Sequence, residues 1–181
     1  MSGVERAARV SDVLQTERLV LRELSPADLD SVAEMLADTE VMRYWPRPQT
    51  RDESRAWIER QQERYARDGH GYWLMLEREG RTPVGQAGLM TIDVQGEMLV
   101  GLGYIVHRPF WRRGYATEAS AGCLDHAFGP LGLERVIALI RPENEPSVGV
   151  ADKLHMTPCG RTQFAGFEHL IREVLREGWR V

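Results

Sequence analysis

At 181 residues, 43% of them hydrophobic, the chain has enough apolar material to close a sizeable core in one domain. Its formal net charge of -4 offers no broad basic field to a nucleic-acid backbone. Two cysteines, Cys123 and Cys159, make neither a disulfide framework nor a metal cluster and read as buried or half-buried free thiols.

The chain opens on MSGVERAARVSDVLQ, which carries charges and no apolar run of secretory length. No later stretch approaches the length of a membrane span, so a cytoplasmic protein that binds neither membrane nor nucleic acid is expected. Residues 18–24 (RLVLREL) alternate as a strand does. Ser25 then caps a helix with Pro26 in its first turn, and Leu29, Val32, Ala33 and Leu36 follow at helical spacing. A second helix begins at Thr50, with Glu53 completing a capping box and Trp57, Ile58 and Tyr65 on one side. The intervening VMRYWPRP is a loop, because prolines there cannot continue a helix.

Three strands are expected next, near 72–78, 83–92 and 97–106, with turns at Glu79-Gly80 and Gln95-Gly96. Residues 114–128 set Ala116, Ala119, Cys123 and Ala127 on one helical face. RVIALI (135–140) suits a strand buried on both faces. A helix over 145–154 and two strands turning near Gly166 complete the chain. The order is β-α-α-β-β-β-α-β-α-β-β. That order predicts an α+β fold: one domain over residues 1–181, its core from about 16, with helices flanking a mixed, mostly antiparallel central sheet.

Residues 104–119, YIVHRPFWRRGYATEA, carry the most chemical information. A strand ends near Val106, and a tight turn from Trp111 to Gly114 opens a helix. The first turn of a helix leaves N–H groups unpaired and gathers partial positive charge, which suits a pyrophosphate. Gly114 lets the backbone turn, Ala116 keeps the approach clear, and Arg112 and Arg113 add charge. An ordinary strand–turn–helix with a solvated arginine pair fits the same spacing. Other phosphate loops fit worse: G-x-x-x-x-G-K-[ST] is absent, and Val106 stands where the dinucleotide fingerprint needs its third glycine.

Three motifs in order give the segment a specific resemblance. Trp111-Arg112-Arg113-Gly114-Tyr115-Ala116 falls on the (Q/R)-x-x-G-x-(G/A) acyl-CoA loop, continuing as G-Y-A-T-E-A through Thr117; TERLVLREL precedes it and RPENEPSVGVADKL follows. The chain resembles the GCN5-related N-acetyltransferases (GNAT), in the branch of the ribosomal-protein alanine acetyltransferases, from about Thr16 to the C-terminus. Trp111 departs from the Gln/Arg position, as is common in that branch. The resemblance implies acetyl-CoA as co-substrate, no metal, and a primary amine as acceptor. It also implies a strand splayed from its neighbour, with Tyr104, Ile105 and Val106 offering backbone groups to the pantetheine arm and RVIALI lying across the gap. Asn144 is carried over to the pantetheine region and Ser147 to the neighbourhood of the sulfur. A helix cap and a plain first-turn serine are the simpler uses of those two residues.

An alkyl ammonium, with a pKa of about 10.4, must lose its proton before it attacks a thioester. Direct attack through a tetrahedral oxyanion, stabilised by strand N–H groups, is expected, with no covalent enzyme intermediate and no nucleophilic role for either cysteine. The family's tyrosine donor position holds Ala151, which leaves Ser147, with Asn144 beside it, as the catalytic candidate for thiolate departure. The usual glutamate position holds Gly101, so Glu97, Asp93, Glu118 or His70 would have to act through water. His155 stands where a helix-ending glycine is usual and is expected to tolerate a left-handed backbone. Tyr44, Trp45, Trp57 and Trp73 are candidate acceptor-pocket residues, with Trp57 and Trp73 equally suited to the core. The acceptor is either a protein N-terminus or a small amine such as an amino acid, polyamine or antibiotic. A non-catalytic acyl-CoA-binding module is a further reading, and a homodimer is allowed.

Overall fold

The computed structural model describes residues 11–179. In chain order the elements are β1 (Asp12–Gln15), β2 (Leu19–Arg22), α1 (Leu29–Ala37), α2 (Arg51–Asp68), β3 (Tyr72–Glu77), β4 (Pro83–Val94) and β5 (Glu97–Val106). They continue with α3 (Tyr115–Phe128), β6 (Arg135–Ile140), α4 (Glu145–Lys153), β7 (Thr157–Phe164) and β8 (Phe167–Leu175). The eight strands form one open sheet in the order β1-β2-β3-β4-β5-β6-β8-β7. Every pairing is antiparallel except β5–β6. This is the mixed, mostly antiparallel sheet that the element order predicted, with four helices flanking it.

β1 was not expected from the sequence. It pairs with β2, and the turn between them is tied to α3: Thr16 Oγ1 donates to Glu118 Oε1 at 2.6 Å. The strand expected over 18–24 ends at Arg22, whose guanidinium pairs with Asp28 at 2.6 Å and so folds the chain into α1. Gln95 and Gly96 both take positive φ, the geometry of a type I′ hairpin turn between β4 and β5. His155 does adopt the left-handed region, at φ 55°. Cys123 is fully buried in the core, but Cys159 is exposed rather than half-buried, because β7 is an outer strand of the sheet.

Strand alternation divides the core between the two faces of the sheet. In β3, Trp73 and Met75 face α3 and pack with Ala119, Cys123 and Ala127. Tyr72, Leu74 and Leu76 face α1 and α2 and pack with Val32, Met35, Leu36, Trp57 and Ile58.

The sheet parts at one place. Glu97 to Val106 of β5 pair residue by residue with Val94 to Gly85 of β4. Against β6 the same strand has a single register pair, Gly101 with Ile137. Beyond Gly101 the two parallel strands diverge.

Candidate functional site

The divergence opens a cavity of about 310 Å³ that passes through the sheet. The half on the α4 side is lined by Leu102, Tyr104, Ala138, Asn144, Ser147 and Ala151. The half on the α2 side is lined by Tyr44, Trp45, Arg64, Tyr72, Arg141 and His169, among others.

β5 presents alternate backbone groups to the gap. The His107 N–H bonds to the Val84 carbonyl at 2.9 Å, and the Ile105 carbonyl points at Gly85, so odd-numbered residues face β4. The backbone groups of Leu102, Tyr104 and Val106 thus face the opening. Ile105 is a correction to the sequence expectation. Its backbone belongs to the β4 ladder and its side chain is buried against α2. The Val106 carbonyl is taken by the Trp111 indole N–H at 2.7 Å, which folds the loop back on the strand end.

That loop then curls into α3. Arg112 (φ 61°) and Gly114 (φ 82°) both adopt left-handed backbone, the alternation that turns successive N–H groups into one concavity. Gly114 begins the helix with no side-chain cap, and a Cβ there would meet the Arg18 guanidinium at 3.3 Å. The first helical hydrogen bond runs from Glu118 N–H to the Gly114 carbonyl. Among the described residues, nothing accepts from the N–H groups of Arg112, Arg113, Gly114, Tyr115, Ala116 or Thr117. Six consecutive donors with no partner at a helix start fit a diphosphate. Arg18 holds the concavity in shape by donating to the Arg113 carbonyl at 2.9 Å.

Asn144 and Ser147 stand at the start of α4, on the cavity wall. Asn144 Oδ1 accepts the Ser147 N–H at 3.2 Å, so it caps the helix while also lining the cavity. Tyr104 donates its hydroxyl hydrogen to Ser147 Oγ at 2.9 Å. Burial pushes the Tyr104 phenol up to about 12, so it keeps its hydrogen across the neutral range. Sequence reasoning assigned Tyr104 a backbone role and missed its side chain. The contact spans 43 residues, and no local pattern announces it.

The carboxylates and histidine considered as bases lie elsewhere. Glu97 sits beside Arg135 at the hairpin end, and Asp93 accepts the Gly96 N–H at 2.7 Å. His70 is buried with Nδ1 3.0 Å from the Leu89 carbonyl. Glu118 is held by Thr16 Oγ1, the Arg18 N–H and the Arg18 guanidinium. Burial raises its pKa, but these donors outweigh burial and keep it below the ordinary glutamate range. None of the four lines the cavity.

His169 does line it, although no motif marks it in the sequence. Its Nδ1 lies 3.0 Å from the Phe167 carbonyl. A carbonyl only accepts, so Nδ1 carries the hydrogen and the neutral ring keeps a lone pair on Nε2.

On the α2 side Tyr44 and Trp45 reach the cavity, as does Trp57, whose indole N–H bonds to Gln86 at 2.8 Å. Trp73 does not. Strand alternation turns it to the α3 face, where it is buried edge-on to His126, while Tyr72 takes the cavity position. Gly101 and Gly103 also line the cavity, and side chains of neighbouring strands pack directly over both of them. A Cβ at Gly103 would collide with the Tyr72 hydroxyl, and one at Gly101 would come within 2.9 Å of Ile92 Cδ1.

Known proteins share this architecture. The profile of the acetyltransferase (GNAT) domain matches residues 18–157. The uncharacterized N-acetyltransferase p20 of Bacillus licheniformis is 30% identical over 145 residues, covering 79% of this chain and 81% of p20. A GNAT-family acetyltransferase from Bacillus anthracis superposes with a TM-score of 0.79 at 24% identity, covering 91% of this chain and 98% of its own. The ribosomal-protein-S5-alanine acetyltransferase of Vibrio fischeri superposes with a TM-score of 0.72 at 17% identity, covering 94% of this chain and all of its own.

Proposed function

The chain belongs to the GNAT acetyltransferase family, and from that premise we propose that it moves an acetyl group from acetyl-CoA to a primary amine by direct attack at the parting of β5 and β6. The observation that carries this reading is the run of partnerless N–H groups from Arg112 to Thr117, next to a strand edge that β6 abandons after Gly101. The diphosphate is assigned to that run, with Trp111 closing the turn below it. The pantetheine arm is assigned to the gap, where the Leu102 and Tyr104 backbone groups and the Val106 N–H replace the missing strand pairing. Acetyl-CoA supplies the reactive thioester.

Three groups of the chain then share the chemistry. The strand N–H groups that face the gap stabilise negative charge growing on the carbonyl oxygen. Ser147, fixed by Asn144 through its N–H and by Tyr104 through its oxygen, donates a hydrogen bond that stabilises the departing thiolate, which then takes its proton from solvent. Because Tyr104 donates to Ser147, the serine hydrogen stays free for that task. His169 Nε2 is the acceptor for the ammonium proton, directly or through water.

The likeness to the Vibrio fischeri enzyme supports a protein N-terminus as one acceptor class, and a small amine is the other. Release of free thiol from acetyl-CoA, followed with peptides and small amines in parallel, tests both. Turnover with either class is the expected result; acetyl-CoA binding without any turnover would leave only an acyl-CoA-binding module.

A further inference from the structure

Resting on the transferase reading, one feature of the cavity narrows the acceptor. Its lining contains two arginines, Arg64 and Arg141, and no aspartate or glutamate. Each guanidinium has a buried nitrogen with no acceptor among the described residues, Nη1 in Arg64 and Nε in Arg141. Arg64 has no carboxylate within 4.0 Å in the described structure. Arg141 is paired with Glu143 through Nη2 and is stacked 4.0 Å from the centre of the Phe167 ring, which fixes its plane.

Leaving guanidinium hydrogens buried and unbonded is costly, and the cost is recovered when an anion enters. The coenzyme phosphates do not supply that anion in the arrangement proposed above. Arg64 belongs to α2, which covers the sheet face opposite α3 and its open N-terminus. Arg141 extends the same side of β6 as Leu139, two residues before it. We propose that the acceptor is an amine that carries a carboxylate, held by Arg64 and Arg141 in the α2-side half of the cavity. The same positive charge disfavours the ammonium form of a bound amine and so aids its deprotonation where the family glutamate is replaced by Gly101.

The test compares free α-amino acids with their amides and decarboxylated amines, and peptides with an acidic or a neutral second residue. The expected result is a preference of at least about tenfold in kcat/KM for the carboxylate-bearing member of each pair, in whichever class is used. Arg64→Gln and Arg141→Gln should each reduce that preference, mainly through acceptor KM, with the acetyl-CoA thermal shift unchanged as proof of an intact fold. Equal or faster turnover of the uncharged partners by the wild type would overturn the inference and leave the transferase reading standing. An undiminished preference in both variants would also overturn it. Acetyl-CoA binding with no turnover of any acceptor defeats the transferase reading and this inference together.

Discussion

α2 and α3 begin in opposite ways. α2 closes its own first turn: Thr50 Oγ1 accepts the Glu53 N–H at 3.3 Å and Glu53 Oε2 accepts the Thr50 N–H at 2.8 Å. Arg47 and the Thr50 N–H hold the Glu53 carboxyl down to about 2, so the box is charged at any physiological pH. α3 begins on Gly114, which has no side chain to offer, after a loop that turns its N–H groups into one concavity. The difference separates a helix start that completes itself from one whose donors are open, the place the proposed function gives to the coenzyme diphosphate.

The sharpest way to break the comparison is Gly114→Val. A β-branched residue at φ 82° costs about 1–3 kcal/mol in strain and meets Arg18, so the concavity should deform. Binding of acetyl-CoA should disappear in calorimetry while the circular dichroism spectrum stays folded. Retained affinity would show that the diphosphate binds elsewhere.

The 3-10 turn that leads into α1 is a second self-contained start, with Asp28 accepting from the Ser25 N–H at 2.8 Å and from Arg22. Burial raises the Asp28 pKa, but the Arg22 and Ser25 donors outweigh burial and hold it below the ordinary range. Asp28→Asn strands Arg22 and should cost about 3 kcal/mol in urea unfolding at pH 7. A depressed carboxylate stabilises the fold above its unfolded pKa of about 3.9, and that contribution drains away as pH falls through the lower folded value. The gap between wild type and variant should therefore narrow below about pH 4. A constant gap would locate the cost in packing rather than charge.

At the start of α4, Ser147→Ala should lower kcat by about 10- to 100-fold with little change in acetyl-CoA affinity. Tyr104→Phe should act in the same direction by a smaller factor, since it removes only the bond that orients Ser147. Equal kcat in Ser147→Ala would remove the serine from the reaction. Smallest of all, Thr50→Ala should cost about 1 kcal/mol of stability and leave acetyl-CoA binding untouched.

Much of this was legible in the sequence because local rules govern it. The Thr50–Glu53 box, the Gln95-Gly96 hairpin and the apolar run of RVIALI announce themselves within a few residues. β1 escaped notice because a short, charged segment becomes a strand only through β2 and the Thr16–Glu118 bond, which spans 102 residues. Trp73 was a natural pocket candidate until the pleat assigned it to the α3 face and gave the cavity Tyr72. The Tyr104–Ser147 bond, and the meeting of Arg64, Arg141 and His169 in one cavity, depend on how α2 and α4 sit against β5, β6 and β8. No stretch of sequence states that arrangement.

The most direct measurement is the stability of wild type and Gly114→Val against acetyl-CoA concentration. Wild type at 100 times the dissociation constant should gain about 2.7 kcal/mol, and the variant nothing. Equal gains in both chains, or none in wild type at millimolar acetyl-CoA, would contradict the claim that the open start of α3 exists to hold the coenzyme.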